Sequence, residues 1–346
     1  MGENRLKNIG YYSKDLNGHR ASYLKFVQSK FGGERLSGKS LVFWKDPVFF
    51  LMVEDNFALY LLVSFLRVLI GRRTVGLLFR PKPAITENNL RLKIKKLALK
   101  TLRYFSNIRT LSIVPVPLEP AIEEIVDDWI YDFQLWDITT EQKLLATEIR
   151  QRFKQCDNTL FDAFPILKEI YNQNLNQKKV IVALGAQNTG KGTELLAKNV
   201  SGIDSTNYLL VVAGKFAKNI EYTKKIIQNH NGLIFDRYMT DDEILALYAI
   251  SDLVWCFYDP SYDQASGILG RAIQFGIIPI VRKGSFSESL CLQENLNIIS
   301  VDDIKNIKSN LDNTLSNNNK KNEKQNLNYE ILSRSKLEAV LGLSEK

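Results

Sequence analysis

Between residues 180 and 282 short apolar runs alternate with helical patterns, and that alternation leaves few folds open to the chain. VIVALG, YLLVVAG, GLIFDRY, DLVWCFY and IIPIV have the length and composition of buried strands. TGKGTELLAKNV, EYTKKIIQNH, DDEILALYAIS and GILGRAIQFG fall between them as helices or loops leading into helices. Repeated strand–helix–strand units imply a parallel sheet with crossovers. The first half repeats the theme less regularly. NIGYY, SLVFWKD and TVGLLFR are strand candidates, and ASYLKFVQSKF and the apolar stretch Phe57–Ile70 are helices. AIEEIVDDW reads as an acidic helix start, and Thr139 or Thr140 as a helix N-cap. A length of 346 residues suits two cores of ordinary size. The expected organisation is an α/β domain over 1–165, a second over 166–303, and an Asn/Lys-rich connector with a C-terminal helix over 304–346.

Composition narrows the classes further. With 45% hydrophobic and 10% aromatic residues, the chain is globular rather than disordered. The longest apolar stretch, Phe57–Ile70, is interrupted by Arg67 and closed by Arg72 and Arg73. It suits a core or interfacial helix, not a membrane span. MGENRLKNIGYY lacks the charged-then-apolar form of a signal peptide, and Gly2 has no Ser or Thr at residue six. Cys156, Cys256 and Cys291 are widely spaced and odd in number, which argues against a disulfide framework and against zinc. Reduced thiols and a cytoplasmic location are expected.

The net charge of +8 is unevenly placed. Residues 1–110 hold 21 Lys+Arg and 7 Asp+Glu, a net +14, so the remainder carries −6. A positive half predicts an anionic partner. No nucleic-acid-binding module is recognisable, which leaves a phospholipid surface. Lys93, Lys96, Lys100 and Arg103 share one face of a helix over 91–103, as on a basic amphipathic helix at the inner face of a membrane. An ordinary solvated charge stripe fits the same spacing.

Two segments carry candidate chemistry. DQASGILGRAIQFG, residues 263–276, runs from a carboxylate through small residues into a helix whose first amides form an anion site. GAQNTGKGT, residues 185–193, has the G-x-x-x-x-G-K spacing of a phosphate-binding P-loop. That loop needs a hydroxyl directly after its lysine, whereas Gly192 stands there and Thr193 follows one later. The residues alone leave open a Mg²⁺-dependent phosphotransferase using Lys191 and a nucleotide-sugar enzyme.

Taken in order, VALGAQNTGKG, LLVVAGK, IFDRYMTDDEILALYAISDLVWCFYDPS, Asp263 with Arg271-Ala272, and GIIPIV resemble the C-terminal half of the retaining glycosyltransferase family 4 group over residues 178–282. The resemblance implies a GT-B fold, in which two Rossmann-like domains face a central cleft. It also implies metal-independent transfer, with retention, from a nucleotide sugar to a saccharide or lipid-linked acceptor of bacterial cell-surface polysaccharide synthesis. No cofactor is implied. On this likeness Gly185 closes the first strand of the nucleotide half, and Lys191 neutralises the leaving diphosphate. Ser266, Gly267 and Ile268 turn helix-start amides to phosphate, and Asp263 holds hydroxyls of the donor sugar. Asp236, Arg237 and Tyr238 lie where the family's loop meets the base, with Glu243 on the following helix.

The chain departs from the family pattern at three positions. Ala186 stands where the family has a second cation. Asp263 is shorter than the usual glutamate. Arg271 replaces the carboxylate that grips the ribose, and a cation cannot accept those hydrogen bonds. Arg271 therefore contacts phosphate or forms a structural ion pair, and a catalytically silent GT-B-like binding protein is the alternative. In the first half Gly18-His19, with Asp15 and Arg20, follows the first strand where acceptor and sugar meet, and His19 is the candidate proton carrier. WIYDFQLWD (129–137) is similar to an aromatic-acidic segment of such enzymes, with packing as its expected role.

Overall fold

The computed structural model describes residues 8–16, 19–86, 89–173, 175, 178–311 and 328–343. The chain forms two compact units, Met1–Phe133 with Asn328–Lys346, and Gln134–Leu327. Each is built on a six-stranded, wholly parallel sheet.

In the first unit the strands are β1 (Gly10–Tyr12), β2 (Glu34–Arg35), β3 (Val48–Phe50), β4 (Thr74–Leu78), β5 (Ile108–Ser112) and β6 (Asp128–Trp129), in the order β2-β1-β3-β4-β5-β6. Tyr11, Phe49, Phe50 and Leu77 are fully buried in it, as strands covered on both faces require. SLVFWKD is not a strand. Ser40–Phe43 is a helical turn, and the strand begins after Pro47. The cause is Arg67, which lies on the core side of the helix Phe57–Leu69 with no exposure. Its guanidinium donates to the carbonyls of Leu41, Val42, Trp44, Asp46 and Arg73 at 2.7–3.2 Å, which holds residues 41–46 curled around the buried cation instead of extended. Burial among neutral acceptors pushes that guanidinium down to about 10.

AIEEIVDDW likewise departs from the helix reading. Pro120–Glu124 is a single 3₁₀ turn, and β6 follows beside β5. Asp127 fixes this register by accepting from the Thr110 amide at 2.7 Å. The basic stripe on the helix Leu90–Leu102 is partly neutralised by the same turn. Lys96 and Lys100 both reach Glu124, at 2.9 and 2.7 Å, and Arg103 donates to the Glu123 carbonyl. The two ammonium groups hold the Glu124 carboxyl down at about 2.

The C-terminal helix Tyr329–Leu341 belongs to this first unit. Its Ser333 hydroxyl accepts from the Tyr131 amide at 3.0 Å, Lys336 pairs with Asp128 at 2.7 Å, and Leu337 and Leu341 are fully buried. Each such leucine contributes roughly 1.5–3 kcal/mol of transfer free energy.

The second unit contains β7 (Lys179–Leu184), β8 (Tyr208–Ala213), β9 (Leu233–Phe235), β10 (Leu253–Cys256), β11 (Ile278–Arg282) and β12 (Ile299–Val301), in the order β12-β11-β10-β7-β8-β9. The unit begins at residue 134, earlier than the boundary at 165 expected from sequence. The reason is the helix Thr140–Lys154, opened by a Thr139/Gln142 capping box. Its Arg150 bonds the carbonyls of Ala249 and Ser251 and the Asp252 carboxylate. Cys256 and Cys291 are core residues, and burial pushes the Cys256 thiol up to about 12.

Candidate functional site

Sheet order in the second unit singles out one place. From β7 the chain builds outward through β8 and β9, then returns to β10 on the other side of β7 and builds outward again. The loops leaving the carboxyl ends of β7 and β10 therefore diverge, and such a switch point is where open α/β sheets hold ligands. The two loops still meet closely. Gly192 has φ +72°, and a Cβ there would collide with the Phe257 carbonyl, so only glycine lets the β7 loop lie against the β10 loop.

Lys191 occupies this point. Its Nζ lies 3.5 Å from the Ser266 hydroxyl, 4.4 Å from the centroid of the Tyr258 ring and 5.0 Å from that of Tyr262. Among the described residues no carboxylate forms an ion pair with it. Desolvation lowers its pKa from the usual lysine value. A cation walled by aromatic faces, partly desolvated and without a counter-ion, is poised to take an anion. Ser266 is the N-cap of the helix Gly267–Gln274, yet its hydroxyl makes no cap bond; it pairs with the Tyr258 hydroxyl at 2.6 Å instead. The space beside Gly185 (φ +87°) borders the Ile268 side chain. The structure thus brings Gly185, Lys191, Ser266 and Ile268 together, with Gly267 between the last two.

The GAQNTGKGT loop does not make a P-loop cradle. The Lys191 and Gly192 amides donate back to the Asn188 and Thr189 carbonyls, and Asn188 Oδ1 accepts from Lys191 as well. The Thr193 hydroxyl is buried and bonded to Gln187 Oε1 at 2.9 Å, so it does not face a metal site. The amides and hydroxyl that phosphotransfer requires are engaged within the protein.

Other residues singled out from sequence sit differently. Asp263 accepts from the Phe286 amide at 2.8 Å and lies 3.4 Å from Arg282. Arg271 directs Nε and Nη2 onto Asp137 Oδ2 at 3.2 and 2.8 Å, while Gln274 donates to Asp137 Oδ1 and to the Gln134 carbonyl. Of the two roles open to Arg271, the structure gives the ion pair, which ties helix Gly267–Gln274 to the WIYDFQLWD segment. Tyr238 is 84% exposed, so it is not a core tyrosine. Arg237 beside it forms a two-point pair with Glu243, which also completes the Thr240 capping box. In the first unit Arg20 grips Asp55 through two bonds of 2.6 Å and lies 3.5 Å from Asp15. Gly18 and the His19 side chain lie outside the described residues.

Sequence reasoning missed Tyr258, Tyr262 and Arg282. The first two stand four positions apart shortly after β10, and Arg282 ends β11 and donates to the Tyr258 carbonyl. The signal was the aromatic pair in YDPSY, visible only once β10 is known to flank β7.

No protein-family model matches the sequence, and no curated protein matches it. Solved structures do. HepE of Anabaena, in complex with UDP, superposes with a TM-score of 0.63 over 97% of this chain and 100% of its own, at 11% identity. A glycosyltransferase from Rickettsia africae gives 0.59 over 99% and 100%, at 13% identity. WaaG, a glycosyltransferase involved in lipopolysaccharide biosynthesis, gives 0.50 over 89% and 90%, at 14% identity. The chain therefore has the α/β fold of GT-B glycosyltransferases.

Proposed function

We propose that this chain is a glycosyltransferase that takes a sugar from a nucleotide-sugar donor bound by its second unit. The observation that carries the reading is Lys191, a cation without a counter-ion at the β7/β10 switch point. Charge grows on the diphosphate as the glycosidic bond to the donor breaks, and a fixed ammonium in a partly dry site stabilises that charge. Amides at the start of helix Gly267–Gln274 add partial positive charge on the same side. Asp263 orients hydroxyls of the donor sugar, and Tyr238 offers an open ring face to the base. Since Arg271 is engaged with Asp137, the ribose is held by other groups.

The reaction is read as metal-independent and retaining, with His19 as proton carrier on the acceptor side. The acceptor is a saccharide or a lipid-linked saccharide of cell-surface polysaccharide synthesis, met at the cytoplasmic face of a membrane. Uridine nucleotides lead the candidate donors, because HepE is seen with UDP and UDP-glucose.

A thermal-shift panel of UDP, GDP, dTDP, CMP and ATP-Mg tests the proposal, followed by hydrolysis of the matching nucleotide sugar in excess EDTA. Stabilisation by one nucleoside diphosphate together with EDTA-insensitive sugar release is expected. Selective stabilisation by ATP-Mg would falsify the reading. Nucleotide binding without sugar release would point to the silent binding protein.

A further inference from the structure

β3, β4 and β5 are adjacent and parallel, so right-handed crossovers place the helices Phe57–Leu69 and Leu90–Leu102 on one face of the first sheet. Lys95 Nζ, 5.5 Å from the centroid of the Phe57 ring, joins the two helices directly. The first packs inward through Tyr60, Val63, Ser64 and Arg67, the second through Leu99 and Leu102. At 100° per residue the opposite stripes fall on Leu62, Phe65 and Leu69, and on Leu90, Ile94 and Leu97. All six are large and apolar, and each is between 55% and 72% exposed.

A stripe facing water would ordinarily be polar. Two neighbouring apolar stripes on one face form a patch that calls for a partner. Its surroundings are cationic. Arg91 and Lys93 are exposed and form no ion pair among the described residues, and residues 1–110 carry a net +14. Apolar side chains at the centre with cations beside them complement an anionic bilayer, where the former enter the acyl boundary and the latter stay at the headgroups. Among the described residues no helix is long and apolar enough to cross a membrane, so the contact would be with one leaflet.

We propose that this two-helix face binds the surface of an anionic phospholipid bilayer. The proposal builds on the membrane-side reading above but does not depend on donor binding. It also moves the contact from the Lys96, Lys100 and Arg103 stripe, which Glu123 and Glu124 engage, to the outward apolar stripe.

Sedimentation with vesicles of equimolar phosphatidylglycerol and phosphatidylcholine tests it, beside vesicles of phosphatidylcholine alone. Binding to the anionic vesicles is expected, with about a tenfold loss of partitioning in Phe65→Glu/Leu97→Glu and a similar loss in Arg91→Glu/Lys93→Glu. Phe65→Ser/Leu97→Ser should give an intermediate loss, which separates lost apolar contact from added negative charge. Equal binding to neutral vesicles, or wild-type binding by all three variants, would overturn the proposal. So would a dimer in light scattering that Phe65→Glu/Leu97→Glu converts to monomer, because the patch would then be a self-interface. Circular dichroism and the nucleotide thermal shift are read on the same samples and should be unchanged. Loss of nucleotide response in wild-type protein that still sediments would reject the donor reading while leaving this one standing.

Discussion

Both sheets have a switch point, and their chemistry differs. In the first unit the loops after β1 and β3 bring up Asp15, Arg20, Glu54 and Asp55, three carboxylates against one cation, so the charge left there is negative. Arg20 holds Asp55 and Asp15, and Glu54 accepts from the Phe79 and Arg80 amides. In the second unit the loops after β7 and β10 bring up Lys191 with hydroxyl and aromatic neighbours and no carboxylate partner among the described residues. Topology marks both places equally. Only the charge left over distinguishes the one fitted to a diphosphate.

Substitutions can break this contrast, and the largest effect belongs to Lys191→Ala. Sugar release from the donor should fall about 100-fold or more, whereas the melting temperature of the unliganded protein should hold or rise, since a desolvated cation is removed. A large loss of stability with normal turnover would make Lys191 a structural residue. Next comes Arg271→Ala, which leaves Asp137 with only Gln274. About 3 kcal/mol of stability should be lost in urea titrations, with nucleotide affinity within a few-fold of wild type. A collapse of affinity in the surviving folded protein would place Arg271 on the donor after all. Arg20→Ala frees Asp55, whose side chain is only 7% exposed, and should cost about 2 kcal/mol. An undiminished unfolding midpoint would show that the Arg20–Asp55 pair does not hold the first switch point together.

The pH dependence gives a finer test. Desolvation lowers the Lys191 ammonium, so between its depressed value and the usual 10.5 the folded chain binds fewer protons than the unfolded one. The contribution of this residue to stability therefore rises with pH across that window, and affinity for a nucleoside diphosphate falls through the same window. Calorimetric titration of UDP against pH should show the fall, and Lys191→Arg should shift it to higher pH. The smallest effect is expected at Lys96→Ala, which removes an exposed pair with Glu124 and should leave the unfolding midpoint indistinguishable from wild type in urea titrations.

How much of this was legible beforehand follows the range of the interactions. The second unit's strands and helices announce themselves because each is a local run with its own period, and Lys191 and Ser266 because each opens or precedes a helix. SLVFWKD was misread since its conformation is set by Arg67, more than twenty residues further along the chain. The partner of Arg271 was out of reach for the same reason: Asp137 is 134 residues away. Tyr258 and Tyr262 needed the strand order, which no window of sequence contains.

The placement of helix Tyr329–Leu341 has a consequence for how the chain is made. Its contacts with Tyr131, Asp128 and Lys30 complete the first unit, yet it emerges from the ribosome only after residues 134–327. The second unit can close as it is synthesised, whereas the first must wait with part of its core uncovered. Of the two, the half made first is the last to be finished, and during that delay a chaperone would find its clearest target.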